Sequence, residues 1–201
     1  MLSTNDNGQK TLNKSFKIAG ILMLVASLQS CAVATIVAIT TGASMATDRR
    51  SFGNQIDDQT IELNAYNSLA KQKPIANNTN LNVFSVNSLL LIVGQAPNTY
   101  LKDLAVKTVS EIEGVTNIHN QIRIGSPTSI ATQTHDIWVT SKVKAALFTT
   151  DKVNGKDIKV VTENGEVFLL GLVTKKEANI AVEITRNIGG VSLVFKAFEY
   201  L

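Results

Sequence analysis

The chain has 201 residues, 44% of them hydrophobic and 5% aromatic, enough for one ordinary domain or two small ones with modest cores. Its formal charge of +3 and pI of about 9.0 invite a nucleic-acid reading, but Lys10, Lys14 and Lys17 against Asp6 supply +2 of that charge within the first 30 residues. The remainder is nearly neutral with mixed signs, which excludes a broad phosphate-binding face, and the single cysteine excludes an internal disulfide.

Residues 1–17 are polar and basic, and an apolar run follows from Ile18 to Leu28. A basic region, a short apolar region and then small residues describe a secretory signal. Leu28-Gln29-Ser30-Cys31 resembles the bacterial lipobox, with Leu three residues before the Cys and a small residue just before it. The resemblance implies that 1–30 is a lipoprotein signal peptide and that Cys31 becomes the acylated amino terminus of the mature chain. Ala32, in place of Asp, then implies sorting to the outer membrane. Several acyl chains would hold the protein essentially permanently, whereas one alone gives only about 10⁴ M⁻¹. The alternative is a transmembrane anchor, because Ile18 to Ile39 is long enough to span a bilayer. The polar Gln29-Ser30 and the small, Thr-rich stretch 40–47 argue against it. The leader is longer than usual, which leaves the translation start open, although Met23 lies too deep in the apolar run to serve. Residues 31–56 read as an acylated tether.

The rest of the chain contains one pattern twice. A helix over Asp58–Lys71 is followed by a hairpin, Leu81 to Asn87 and Ser88 to Gly94. Next come a helix opened by Pro97, with Leu101, Leu104, Ala105, Val109 and Ile112 on one face, and an alternating strand from Val115 to Ile124. Gly125 to Thr134 reads as a linker. The second copy has a helix over Asp136–Thr149 and a hairpin, Ile158–Glu163 and Glu166–Gly171, closed by Asn164-Gly165, the strongest short-range signal for a two-residue turn. Thr174 and Glu177 have capping-box spacing and open a helix with Ile180, Ala181, Ile184 and Ile188 on one face, ended by Gly189-Gly190. A last strand runs from Val191 to Tyr200. At a shift of 77, Asn87 falls on Asn164 and Gly94 on Gly171. Each unit is helix, strand, strand, helix, strand, an α+β fold whose parallel crossover is right-handed. The product is a three-stranded mixed sheet with two helices on one face.

This unit, with Gly94 and Gly171 ending the second strand and Gly114 and Gly190 before the third, resembles the BON domain. Together with the lipobox, Thr47 to Ser51 and Gln55 to Asp58, it resembles the dual BON-domain outer-membrane lipoproteins over about residues 28–201. Thr162 to Thr174 is especially close. The expected domains are 57–124 and 135–201, with 125–134 between them. The resemblance implies an outer-membrane protein on the periplasmic face that binds phospholipid, favours anionic lipids and helps keep the envelope intact.

Individual residues are weighed against that expectation. Trp138, the only tryptophan, lies well over about 90° from the centre of the stripe made by Val139, Val143, Ala146 and Leu147, beside Lys142. An aromatic ring off the core face, with a lysine one turn away, suits a membrane interface. Packing against the linker or the first unit is the other reading. The first copy offers only Thr60, Ile61 or Glu62 there, so lipid contact is assigned to the second unit. Leu172 and Val173, read as a loop after Gly171 and followed by Lys175, either enter the same interface or staple the next helix. His119 and His135 fall in different units without cysteine partners, so no zinc site is expected. Cys31 is spent on lipidation, no glycine loop cradles phosphate, and Asp57-Asp58 reads as helix-start chemistry. No enzyme activity, cofactor or nucleic-acid partner is expected. A protein-interaction scaffold for an envelope assembly, anchored by Trp138, is the alternative function.

Overall fold

The computed structural model describes Arg49 and residues 51–201. The signal peptide, acylation at Cys31, the alternative anchor and the tether up to Asp48 lie outside the described residues.

Helix α1 (Phe52–Lys71) starts earlier than the sequence pattern suggested, because the Ser51 hydroxyl accepts from the Asn54 amide at 3.1 Å and caps the helix there. Asp57 and Asp58 therefore sit in its second turn and do not start it. A short helix α2 (Lys73–Asn78), opened by Pro74, was not anticipated. Strands β1 (Asn80–Val86) and β2 (Leu89–Ala96) form the hairpin, and helix α3 (Thr99–Ser110) crosses to β3 (Asn117–Ile124), which lies parallel to β2. The second unit repeats this with α4 (Ile130–Phe148), β4 (Ile158–Glu163), β5 (Glu166–Val173), α5 (Lys175–Arg186) and β6 (Leu193–Tyr200). Ser129 caps α4 by accepting from the Thr132 amide at 3.1 Å, so the second half of the expected linker is helical. Polar composition over 125–134 hid that cap.

Both hairpin turns have two left-handed residues, Asn87 and Ser88 (φ 54° and 66°) in one and Asn164 and Gly165 (φ 52° and 75°) in the other. Such turns match the twist of the strands they join. Gly94 and Gly171 do not end their strands, which run on to Ala96 and Val173. A Cβ at Gly94 would lie 1.9 Å from the Asn80 carbonyl oxygen, and one at Gly171 would lie 2.1 Å from that of Asp157. These glycines mark a close approach of the neighbouring chain.

The central strands are buried on both faces, which alternation along β2 explains. Leu90 and Ile92 pack on Ile61, Ala65 and Leu101 beneath the helices of their own unit, while Leu91 and Val93 face Phe168 and Leu170 of the other sheet. In β5, Val167 and Leu169 likewise serve the helix side, with Val139, Val143 and Ala181. The described residues thus form two sheets packed face to face with helices outside. At the junction Phe168 stacks on Phe195 with centroids 4.8 Å apart. Gln95 donates to Glu163 at 2.6 Å, Arg123 pairs with Glu166 at 2.9 Å, Lys159 pairs with Glu62, and Asn87 donates to Glu199. Burial raises the Glu163 carboxyl above its ordinary range.

Candidate functional site

Helix α4 buries one stripe and exposes four large apolar side chains elsewhere on its surface. Asp136, Val139, Val143 and Leu147 are buried. On the opposite side Ile130 is 82% exposed, Ile137 69% and Trp138 53%, with Phe148 exposed at the end. The helix contains one acidic residue, Asp136, and it is buried; its charged side chains towards solvent are Lys142 and Lys144. Four large apolar side chains in solvent, with Thr134, Ser141 and cations but no exposed acid among them, are unusual for a helix that has finished packing. Ile130 was hidden inside the stretch read as linker. Once the helix reaches it, Ile130 and Ile137 stand two turns apart on one face, about 100° around the helix from Trp138.

Trp138 is held rather than loose. The Lys142 ammonium sits 4.0 Å from its ring centroid and donates to the Gly189 carbonyl at 3.1 Å, and the His135 ring lies 5.7 Å away on the other flank. Gly190 (φ +103°) lets the loop after α5 pass close beneath, since a Cβ there would meet Val139 at 2.7 Å. Lys142 keeps donors to spare after these contacts.

The structure does not bring the remaining candidates to this place. Val173 is a correction: it lies in strand β5 and is 2% exposed, packed in the core of the second unit, so no membrane can reach it. Leu172 is half-buried in the same strand, and the loop expected to carry the pair is absent because β5 continues past Gly171. Lys175 is exposed at the first position of α5. Trp138 and Lys142 lie at the other end of α5, beside Gly189, and a helix of 12 residues separates its ends by about 18 Å.

Sequence reasoning also missed a buried clamp. Asp136 reaches from α4 to accept from the Asn164 and Gly165 amides at 2.7 and 2.8 Å. Asp58 reaches from α1 to accept from the Asn87 and Ser88 amides at 2.7 and 2.9 Å, and from the Ser85 hydroxyl at 2.8 Å. Each carboxylate meets the donors of a turn that has no strand partner for them. The spacing of 78 between the two aspartates was a readable signal beside the 77 between the turns.

The BON domain family matches residues 57–126 and 135–201. The chain is 39% identical over 191 residues to the outer membrane lipoprotein DolP of Haemophilus influenzae, covering 95% of this chain and 99% of that protein. It belongs to the dual BON-domain outer-membrane lipoproteins. It is also 36% identical over 154 residues to the 21 kDa hemolysin of Actinobacillus pleuropneumoniae, covering 77% and 79% of the two chains. The osmotically-inducible protein Y of Escherichia coli is 26% identical over 156 residues, covering 76% and 77%.

In this BON lipoprotein the chain touches the second domain before it enters the first. Arg49 makes a two-pronged contact with Glu177, at 2.7 and 2.8 Å, and a third with Asp157 at 3.0 Å. Glu177 is also the return arm of the Thr174 capping box. Arg49 first, and the Thr174 amide second, hold its carboxyl down at about 2. Among the described residues, no three His, Cys, Asp or Glu side chains converge on a metal position, and no helix is long and apolar enough to cross a membrane.

Proposed function

We propose that this outer-membrane lipoprotein, acylated at Cys31, docks its second BON domain on anionic phospholipid through the exposed face of α4, and supports envelope integrity in that way without catalysing a reaction. The observation that carries the reading is that α4 exposes four large apolar side chains, Ile130, Ile137, Trp138 and Phe148, together with Lys142 and Lys144 and no exposed acid of its own. Apolar side chains enter the headgroup boundary while lysines meet phosphate, and the attraction falls with salt. Lys142 fixes the Trp138 ring and turns its remaining donors outward. Leu172 and Lys175, at the other end of α5, take no part in this contact.

Trp138 is the only tryptophan, so its emission reads the contact directly. With the mature lipoprotein in detergent-free vesicles of phosphatidylglycerol, the emission moves to shorter wavelength, and less so in phosphatidylcholine or at high salt. An unchanged spectrum in both lipids would sink the reading and leave the apolar face to a protein partner, as a scaffold would use it. Intact-mass analysis of membrane-extracted protein tests the anchor. A mature chain starting at an acylated Cys31 is expected, and a full-length chain would overturn that part.

A further inference from the structure

Histidine is the side chain whose ordinary charge change falls between pH 5 and 8, and this chain has two of them. His119 lies in β3 of the first domain. His135 lies in α4, one turn before Trp138, while Lys142 lies one turn after it. The His135 and Trp138 rings are 5.7 Å apart and tilted by 44°, and the Lys142 ammonium is 4.0 Å from the indole centroid. The loop after α5 runs along this row. Gly189 accepts from Lys142 at 3.1 Å, and a Cβ at Gly190 would lie 3.0 Å from Cε1 and 3.2 Å from Nε2 of His135. His135 is therefore seated against backbone on one side and exposed on the other. Among the described residues nothing hydrogen-bonds its ring nitrogens.

Few charges face it. Asp136, its neighbour on α4, is buried and held by the Asn164 and Gly165 amides. Lys142 shares its side of the helix, and Lys144 lies on the opposite side. The loop 187–192 carries no titratable side chain, and Arg186 before it pairs with Glu183 at 2.9 Å. The protein thus supplies no carboxylate here to balance an imidazolium. A phosphate surface would, because its negative potential favours the cationic form of a group brought to it. The first domain lacks this row. At the shift of 78 that relates the two clamps, His135 falls on Asp57, Trp138 on Thr60 and Lys142 on Asn64.

We propose that His135 is a proton-gated cation of the lipid contact, so that docking on anionic phospholipid tightens as pH falls from 8 to 5. The inference rests on the lipid reading of α4 and names a control on that same site. The imidazole takes a proton from solvent on its free ring nitrogen, and the imidazolium donates an N–H to a phosphate oxygen; no other bond changes. When it is charged, Trp138 lies between two cations about 10 Å apart along the helix, and when it is neutral only Lys142 remains. One more cation at an anionic surface corresponds to about fivefold in the docking equilibrium.

The test follows docking against pH. The mature lipoprotein is reconstituted into mixed phosphatidylglycerol and phosphatidylcholine vesicles whose acyl chains carry bromine, which quenches an indole that reaches them. Emission is compared with the same vesicles without bromine, at a phosphatidylglycerol content that leaves docking incomplete at pH 8. Quenching of Trp138 is expected to rise at pH 5, by about fivefold in the docking equilibrium, and to stay flat in phosphatidylcholine alone. His135→Gln docks no more strongly at pH 5 than at pH 8. His135→Arg, a permanent cation, docks above the parent's pH 8 level at both values, and His119→Gln keeps the full response. A response that survives in His135→Gln would overturn the inference and move the control elsewhere, for instance to Glu163, whose carboxyl is raised by burial. Equal docking of the parent at both pH values would overturn it while leaving the lipid contact standing. No quenching at either pH would sink the lipid contact itself, and the inference with it.

Discussion

Helices α1 and α4 occupy the same place in two copies of one domain, and the comparison separates what the fold needs from what each copy does. Both keep a buried aspartate that holds a hairpin turn. Around it, α1 exposes Ile56, Leu63 and Tyr66 beside the acids Asp57 and Glu62, whereas α4 exposes Ile130, Ile137 and Trp138 beside Lys142 and Lys144. The clamp is therefore architecture, because it recurs where the surfaces diverge. The two copies differ in the sign of the charge beside their exposed apolar side chains, acidic on α1 and basic on α4.

The clamps should give the largest effect. Asp58→Ala leaves two turn amides without a partner and is expected to cost about 3 kcal/mol of unfolding free energy, read from urea denaturation. Asp136→Ala should cost somewhat less, about 2 kcal/mol, because Gly165 adopts its left-handed angle without strain while Ser88 does not. Equal losses would break the view that the first turn depends more on its clamp. Next comes Trp138→Ala, which should weaken flotation with phosphatidylglycerol vesicles by roughly tenfold or more at unchanged thermal stability, since the ring is half-exposed in the free protein. A matching loss of melting temperature would make Trp138 a packing residue instead.

Smaller effects sharpen the comparison. Ser88→Gly gives the first turn the Asn-Gly pair of the second and should stabilise it by about 0.5–1 kcal/mol, read as a higher urea midpoint. The smallest is acid dependence at Arg49. The Glu177 carboxyl lies at about 2 in the folded protein, below its ordinary 4.5, so the stabilisation is complete above 4.5 and is lost as pH falls towards 2. Arg49→Ala should flatten that part of the stability curve, and added salt should do so in part because the pair is half-open to solvent. Identical curves for the two proteins below pH 4.5 would mean the contact adds nothing in solution.

Much of this was legible without coordinates. Asn164-Gly165 named its own turn, the stripes Leu101-Ala105-Val109 and Ala181-Ile184-Ile188 named the crossover helices, and the 77-residue shift named the repeat. Element ends were less legible. Ser51 and Ser129 cap helices inside stretches whose polar composition resembles linker, and a serine states its role only when a free amide lies three residues on. Val173 was misplaced because Gly171 looked like a stop, whereas it is a gap for the Asp157 carbonyl.

By itself, then, the sequence determined the two α+β units, their hairpins and crossovers, and the off-core position of Trp138, because these follow from periodicity and turn chemistry within a few neighbouring residues. Only the tertiary structure decided that Leu91 and Phe168 meet across two sheets, that Asp58 and Asp136 hold turns 28 to 30 residues away, and that Glu62 and Tyr66 meet the outward amides of β1 while Thr140 meets the Thr162 hydroxyl of β4. Those outcomes depend on which side chain the fold carries to an unpaired backbone group, and distance along the chain does not record that.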